Sequence, residues 1–341
     1  MIAALEGYIL ARWNDLFPEH ENPNGLSFIL MSNMSPHLEI VTFLIIPSGS
    51  SEPLLTAKVP RYVKDNDKMR QKAERVSRLK KELPVHLSSS FPVLVDVTEI
   101  SGRLIILERS MPMPTIGLEL KRGSRLNLIY DNIGELELIG DWLIDFFQAT
   151  RQPVTTQNIV QLVLNLVHEY ENRFLPPLPQ RGWLEKMRLV LAQKKNIPYL
   201  GVRHTNLTPD HVSLNSGQLY IFNWENMEER GLPLFDAFHF ITCLALYGVS
   251  KIDEAKDRLQ TLFLVRGNEN SAWTDWIKRV SNAIGIDEPT RRLLYLLYLT
   301  DRALNWTEFE IAENYWPQLF SSYVSWLEQI DFNLETKKKM P

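Results

Sequence analysis

The sequence predicts an α+β protein of two lobes: a small β-rich N-lobe over residues 1–113 and a larger, mostly helical C-lobe over 114–341. Three observations predict it. Runs rich in Ile, Leu, Val and Phe, bounded by turn residues, crowd the first 110 positions. Past Met111-Pro112-Met113-Pro114, read as a hinge, strand signals nearly vanish and helical periodicities take over. The exception is the stretch 202–238, VRHTNLTPDHVSLNSGQLYIFNWENMEERGLPLFDAF, which reads as a loop, a short hairpin over 211–222, a second loop and the start of a helix.

In chain order, residues 2–17 suit an amphipathic leading helix, broken by His20-Glu21-Asn22-Pro23-Asn24-Gly25. Strands are expected over 26–31, 38–46 and 54–59, with turn-prone residues 47–51 between the last two. Residues 64–83 carry Met69, Ala73, Val76, Leu79 and Leu83 at helical spacing within a charged segment. Two further strands, 92–100 and 104–109, flank the turn Ser101-Gly102. The N-lobe is therefore a five-stranded sheet with one inserted helix, behind the leading helix. Helices are expected over 135–149, 156–174 and 182–195, then near 234–248, 251–264, 271–284, 288–306 and 313–330.

The whole chain bounds its function. At 341 residues it is long enough for two domains or one large bilobal one. A net charge of −4 and a pI near 6.0 give no reason to expect a nucleic acid or an anionic membrane as partner. The single cysteine, Cys243, lies in an apolar run and reads as a small core residue. The uncharged run 237–250 is too short to cross a bilayer, and the N-terminus lacks the order of a secretory signal, so a cytoplasmic protein is expected. There is no G-x-S-x-G, P-loop, C-x-x-C or H-E-x-x-H string. Trp273, Trp276, Trp306, Trp316 and Trp326 read as packing residues. Arg291-Arg292 and Asp301-Arg302 read as charges on a solvated helix face.

The hairpin holds two loops side by side. The first offers His204, Asn206, Asp210 and His211; the second offers Asn223, Glu225 and Asn226. This arrangement resembles the catalytic core of the aminoglycoside phosphotransferases and choline-kinase-like enzymes, distant relatives of the protein kinases. Their first loop reads roughly H-G-D-x-x-x-x-N and their second I-D-W-E/D. The matching strings are His204-Thr205-Asn206-Leu207-Thr208-Pro209-Asp210-His211 and Phe222-Asn223-Trp224-Glu225, and Pro233-Leu234-Phe235-Asp236 matches a third segment. The resemblance spans roughly residues 25–250 and implies a bilobal protein-kinase-like fold.

It also implies roles, residue by residue. Asn206 stands at the family's base aspartate, His211 at its metal-binding asparagine and Asn223 at its metal-binding aspartate; Glu225 follows Trp224 as the family's second acid. His204 and Asp236 take structural positions, Asp236 accepting from the backbone of the catalytic loop. Lys58 on the third strand and Glu74 on the following helix are the nucleotide-binding pair, with the phosphate-covering loop at 32–37. That loop has no glycine, and backbone amides approach phosphates most readily where there is no Cβ. An amide at Asn206 cannot take up a proton near neutral pH. Mg²⁺ prefers charged oxygen ligands, so His211 and Asn223 are poor replacements. His204 and His211 match no common zinc spacing. Asp210 reads as a solvent-facing loop acid or cap.

These substitutions lead to a kinase-like protein that serves as a pseudokinase, a binding or regulatory module, with weak or absent binding of ATP and Mg²⁺. The alternative is an atypical ATP-dependent phosphotransferase of a small hydroxylated or aminated metabolite, its metal carried by Glu225 or Asp210. The partner, small molecule or protein, is not named by the sequence. Two geometric expectations follow. Lys58 and Glu74 lie within salt-bridge reach under the 32–37 loop, and Asn206, His211 and Asn223 lie side by side.

Overall fold

A computed structural model describes residues 1–31, 40–110, 114–122, 133–193, 196–249, 251–264, 271–305 and 315–338. The chain divides into two units, one of residues 1–113 with 213–226 and one of 114–212 with 227–341. The hairpin residues expected in the helical lobe thus belong, from 213 onward, to the first unit. Met111, Met113 and the 32–37 loop lie outside the described residues, as does Trp306.

In the first unit, α1 (Ile2–Ala11) and α2 (Trp13–Leu16) replace the single expected helix. The break is at Arg12, whose φ of −111° and ψ of 14° leave the helical region. Its guanidinium is drawn to the Tyr8 hydroxyl and to Asp96, at 2.7 Å. Leu5, Ile9, Trp13 and Phe17 recur every four residues and are all buried. They cover a sheet built from β1 (Leu26–Leu30), β2 (Ile40–Pro47) and β3 (Leu55–Pro60), then, after α3 (Asn66–Glu82) and α4 (Val85–Ser88), from β4 (Leu94–Ile100) and β5 (Arg103–Arg109).

The sheet order is β1-β2-β3-β5-β4, antiparallel throughout. Ser101 and Gly102 turn β4 into β5 with φ of 53° and 75°, both left-handed, as a two-residue hairpin turn requires. Strand alternation then sorts the side chains. Ala57, Val59, Ile105 and Leu107 face the α1–α2 core, while Leu104 and Ile106 pack with Met69 of α3 on the other face. Lys58 and Glu108 fall in this second set, and that parity sets the site.

The second unit opens with α5 (Ile116–Lys121), α6 (Ile133–Thr150), the two-residue β6 (Gln152–Pro153) and α7 (Thr156–Phe174). Next is α8 (Leu178–Leu191), which begins four residues before its expected start. Pro179 sits in its first turn, where a missing N–H leaves no hydrogen bond unmade. Strand β7 (Tyr199–Arg203) follows, then the hairpin of β8 (Val212–Asn215) and β9 (Gln218–Ile221), and β10 (Glu228–Gly231). A sheet of order β10-β7-β6 forms, which the sequence does not announce: its strands are two to five residues long and contain glycine and arginine. Gly231 is required there, because a Cβ would lie 2.3 Å from the Arg203 side chain crossing it.

Helices α9 (Phe235–Ala245), α10 (Ile252–Leu264), α11 (Ser271–Ala283), α12 (Glu288–Asn305) and α13 (Tyr315–Lys338) complete the unit. From Thr290 to Ala303 every residue of α12 except Arg292 is buried, so α12 is the unit's central helix. Tyr295 meets Tyr323 of α13 edge-on, with ring centroids 4.8 Å apart.

The segment 213–226 is fastened into the first unit by specific contacts. The Ile221 amide donates to the Ser90 carbonyl at 2.8 Å. The buried Trp224 ring stacks on Phe91 with centroids 4.1 Å apart, and its Nε1 donates to the Ile221 carbonyl at 3.0 Å.

Candidate functional site

Each unit carries one cluster of the residues singled out by the sequence. In the first, Lys58 sits on the central strand β3 and is 4% exposed. Its Nζ donates to Glu108 Oε2 at 2.8 Å and to Glu225. Burial alone would lower its pKa. The two carboxylates outweigh burial and hold the ammonium charged, above its ordinary value. Burial in turn raises the Glu108 carboxyl above its ordinary value; Lys58 opposes this and the charge of Glu225 adds to it.

Glu74 is not the partner of Lys58. It is exposed on α3, whose buried residues are Met69, Lys72 and Leu79. At about 100° per residue, Glu74 points about 200° away from Lys72. The inward position is taken by Lys72, 7% exposed, whose Nζ donates to Asn226 Oδ1 at 2.9 Å. The turn Trp224–Asn226 is thereby held by two lysines, Lys58 through Glu225 and Lys72 through Asn226. Asn223, just before it, has a φ of 58°, a left-handed conformation that asparagine tolerates better than most residues.

A raised carboxyl has a definite stability signature. The folded state keeps the Glu108 proton beyond the pH at which the unfolded chain releases it, about 4.3. Its contribution is full below that pH and is lost as pH rises through the folded-state value. Glu108→Gln should therefore lose less stability than the wild type as pH rises above about 4. Melting temperature against pH reads this directly, and parallel curves would contradict it.

The second unit holds the loop 203–211. Asp236, at the start of α9, accepts from the His204 amide at 2.6 Å and the Thr205 amide at 3.0 Å. Thr205 has a φ of 72°, a strained value for a β-branched residue, and this double anchor fixes it. Burial raises the Asp236 carboxyl, opposed by Arg203 and by the two amides. Arg302 of α12 donates to the Thr205 carbonyl at 3.0 Å and to Asp301 at 2.7 Å, and Arg203 reaches Asp301 at 3.3 Å. All three of these charged residues are buried, so Asp301 and Arg302 are not the solvated pair expected. Arg291 is buried as well.

Within this loop His204 is fully buried, and its Nδ1 accepts from the Asn206 amide at 3.3 Å. His211 Nδ1 lies 2.7 Å from the Asn206 carbonyl, so Asn206 and His211 are brought together. The Asn206 carboxamide meets a residue the sequence reading passed over: His239 Nε2 lies 3.1 Å from Asn206 Oδ1, and His239 Nδ1 lies 3.0 Å from the Tyr298 hydroxyl. Burial, reinforced by Arg302, lowers the His239 pKa well below its ordinary value, so the ring is neutral. Nε2–H then donates to Asn206 and Nδ1 accepts from Tyr298. A histidine inside an otherwise apolar helix, three residues after Asp236 and on its face, was the available signal.

Asp210 lies at the near end of α5. Its Oδ1 is 3.4 Å from Lys121 Nζ and 3.5 Å from the Tyr247 hydroxyl, and Gly117 approaches so closely that a Cβ there would sit 2.1 Å from that oxygen. Cys243 is half-buried beside His239, at 3.7 Å, and desolvation pushes its thiol up to about 12. Among the described residues no three His, Cys, Asp or Glu side chains are arranged to hold a metal ion, and no helix is long and apolar enough to cross a membrane.

No protein-family model and no curated protein matches the chain in sequence. Solved structures do match it in fold. A thermostable mutant of aminoglycoside phosphotransferase APH(4)-Ia, in its apo form, aligns over 98% of this chain and all of its own, with a TM-score of 0.51 at 11% identity. A ternary complex of that enzyme with ADP and hygromycin B aligns over 88% of this chain and 93% of its own, with a TM-score of 0.51 at 12% identity. An ethanolamine kinase of Plasmodium vivax aligns over 93% and 86%, with a TM-score of 0.48 at 11% identity. The fold is the bilobal kinase-like one of the aminoglycoside phosphotransferases.

Proposed function

We propose that this kinase-like chain is a pseudokinase, a binding or regulatory module that has kept the scaffold and lost phosphoryl transfer. One observation carries the reading: the residue at the base position is an amide, Asn206, and its side-chain Oδ1 is engaged by a neutral, buried His239. An amide takes up no proton near neutral pH, and losing such a base typically costs about 10²–10⁴ in rate.

The remaining positions do not fit Mg²⁺. His211 offers nitrogen and is bonded to its own loop, Asn223 offers a neutral amide, and the Glu225 carboxylate is engaged by Lys58. In the alternative reading, an atypical phosphotransferase, Glu225 or Asp210 must carry the metal. Glu225 is tied to Lys58 and Asp210 lies against Lys121, which favours the first reading.

The similar enzyme's complex contains ADP, which makes ATP the ligand to test. A site filled at 100 times Kd stabilises a folded protein by about 2.7 kcal/mol, a Tm rise of roughly 4 °C for a chain of this length. The expected result is a shift below about 1 °C with ATP, indifferent to Mg²⁺. A Mg²⁺-dependent rise that disappears in Glu225→Gln would sink the pseudokinase reading and favour the phosphotransferase.

A further inference from the structure

We propose that Glu225 and Glu108 form a built-in plug over an anion site: they occupy Lys58 as the phosphates of a ligand would, and removing them exposes a site for a short phosphate chain. This deepens the non-catalytic reading by naming what keeps phosphate away from the first unit, and it rests on that reading.

Three observations in this unit carry it. The first is layering. Lys58 is 4% exposed, whereas Glu108 and Glu225 are 15% and 14% exposed, so the carboxylates form the outer layer and the ammonium the inner one. Two of the three ammonium donors of Lys58 are spent on these carboxylates, so a phosphate chain gripping it competes with them. The second is charge. One ammonium between two carboxylates leaves the cluster at −1 when both acids are ionised, and an incoming anion meets repulsion rather than attraction. Lys80 also acts on Glu108, but its Nζ is turned to the Phe91 and Pro92 carbonyls, at 3.3 and 2.8 Å.

The third is fastening. Glu225 is not on a freely swinging side loop: Trp224 beside it is buried against Phe91, and Asn226 after it is held by Lys72. The plug is a fixed part of the unit. Its removal leaves Lys58 of β3 as the cationic lining, with Lys72 of α3 bonded to Asn226, the residue after Glu225.

The test is a graded series read by calorimetric titration with pyrophosphate and, separately, with ATP. Wild type is expected to bind neither. Glu225→Ala brings the cluster to neutral, and Glu108→Gln with Glu225→Ala brings it to +1. Pyrophosphate affinity should rise by about tenfold or more at each step, and the gain should vanish when Lys58→Met is added to the double variant. If Glu225→Ala does not fold, Glu225→Gln, which keeps the side-chain shape, takes its place in the series.

Three results would overturn the plug. They are wild-type binding of pyrophosphate as tight as that of the variants, folded variants that gain nothing, or a gain that survives Lys58→Met. ATP tells the two readings apart. Mg²⁺-dependent ATP binding by the wild type counts against the non-catalytic reading, whereas a wild type silent to ATP with variants silent to pyrophosphate counts against the plug alone. Variants that take pyrophosphate and ATP equally place recognition in the phosphate chain.

Discussion

Lys58→Met is expected to lower stability by about 3–5 kcal/mol, because it strands two mostly buried carboxylates without their cation. A lysine that served only to grip a nucleotide would lose affinity on replacement and little else. In this chain its Nζ is the shared partner of Glu108 and Glu225, at 4% exposure. With unfolding entropy of about 2.1 cal/mol/K per residue, the loss corresponds to a Tm fall of roughly 4–7 °C if the chain unfolds in one transition, and more if the first unit melts by itself. The exposed Glu74→Gln is the control, expected within about 0.5 kcal/mol of wild type. Equal melting of Lys58→Met and wild type would remove the structural role of Lys58.

The second large effect belongs to Asp301. Its carboxylate is the partner of both Arg203 and Arg302, and all three are buried. Asp301→Asn leaves two buried guanidinium groups short of their countercharge and should be destabilising by about 3–5 kcal/mol. Burial would raise the Asp301 carboxyl, but Arg203 and Arg302 outweigh it and hold it below its ordinary value. For a lowered carboxyl, stability is present above the unfolded value, about 3.9, and is lost as pH falls through the folded one. The wild type should therefore lose stability below about pH 4 more steeply than Asp301→Asn. The exposed Asp253, paired with Lys256 three residues on, is the contrast: Asp253→Asn should stay within about 0.5 kcal/mol. An Asp301→Asn variant with wild-type acid sensitivity would show that another carboxylate sets that limb.

The fold was legible because its signals are local. Five β-prone runs bounded by turns, with Ser101-Gly102 and Ser216-Gly217 supplying left-handed turn positions, define the sheet and the core hairpin without tertiary information. The loops at 204–211 and 223–226 were legible for the same reason. The partners inside the site were not, because each is a charge whose burial depends on a side chain far away in sequence: Glu108 on Lys58 and Glu225, Lys72 on Asn226, Arg302 on Thr205.

The assignment of Glu74 failed on helix phase, and the sequence held the correction. Met69, Val76 and Leu79 mark one stripe of α3; Lys72 lies on that stripe and Glu74 lies off it. A lysine in an apolar stripe is the better inward candidate, whatever charge a family places there. His239 is the opposite case: it stands among apolar neighbours in the sequence, while its two ring nitrogens are spent on Asn206 and Tyr298.

The membership of 213–226 in the first unit also has a bearing on biosynthesis. A ribosome finishes residues 1–113 and must then make 113 more, 114 through 226, before Trp224 can cover Phe91 and Glu225 can reach Lys58. At about 5–20 residues per second that interval is roughly 6–23 s. Through it the emerging N-terminal piece carries an uncovered aromatic face at Phe91 and an ammonium with one of its two carboxylates. The piece can collapse early but cannot close until the later segment returns to it. A nascent chain stalled shortly after residue 113 should therefore be open to protease and to holding chaperones, and one stalled well past residue 226 should not.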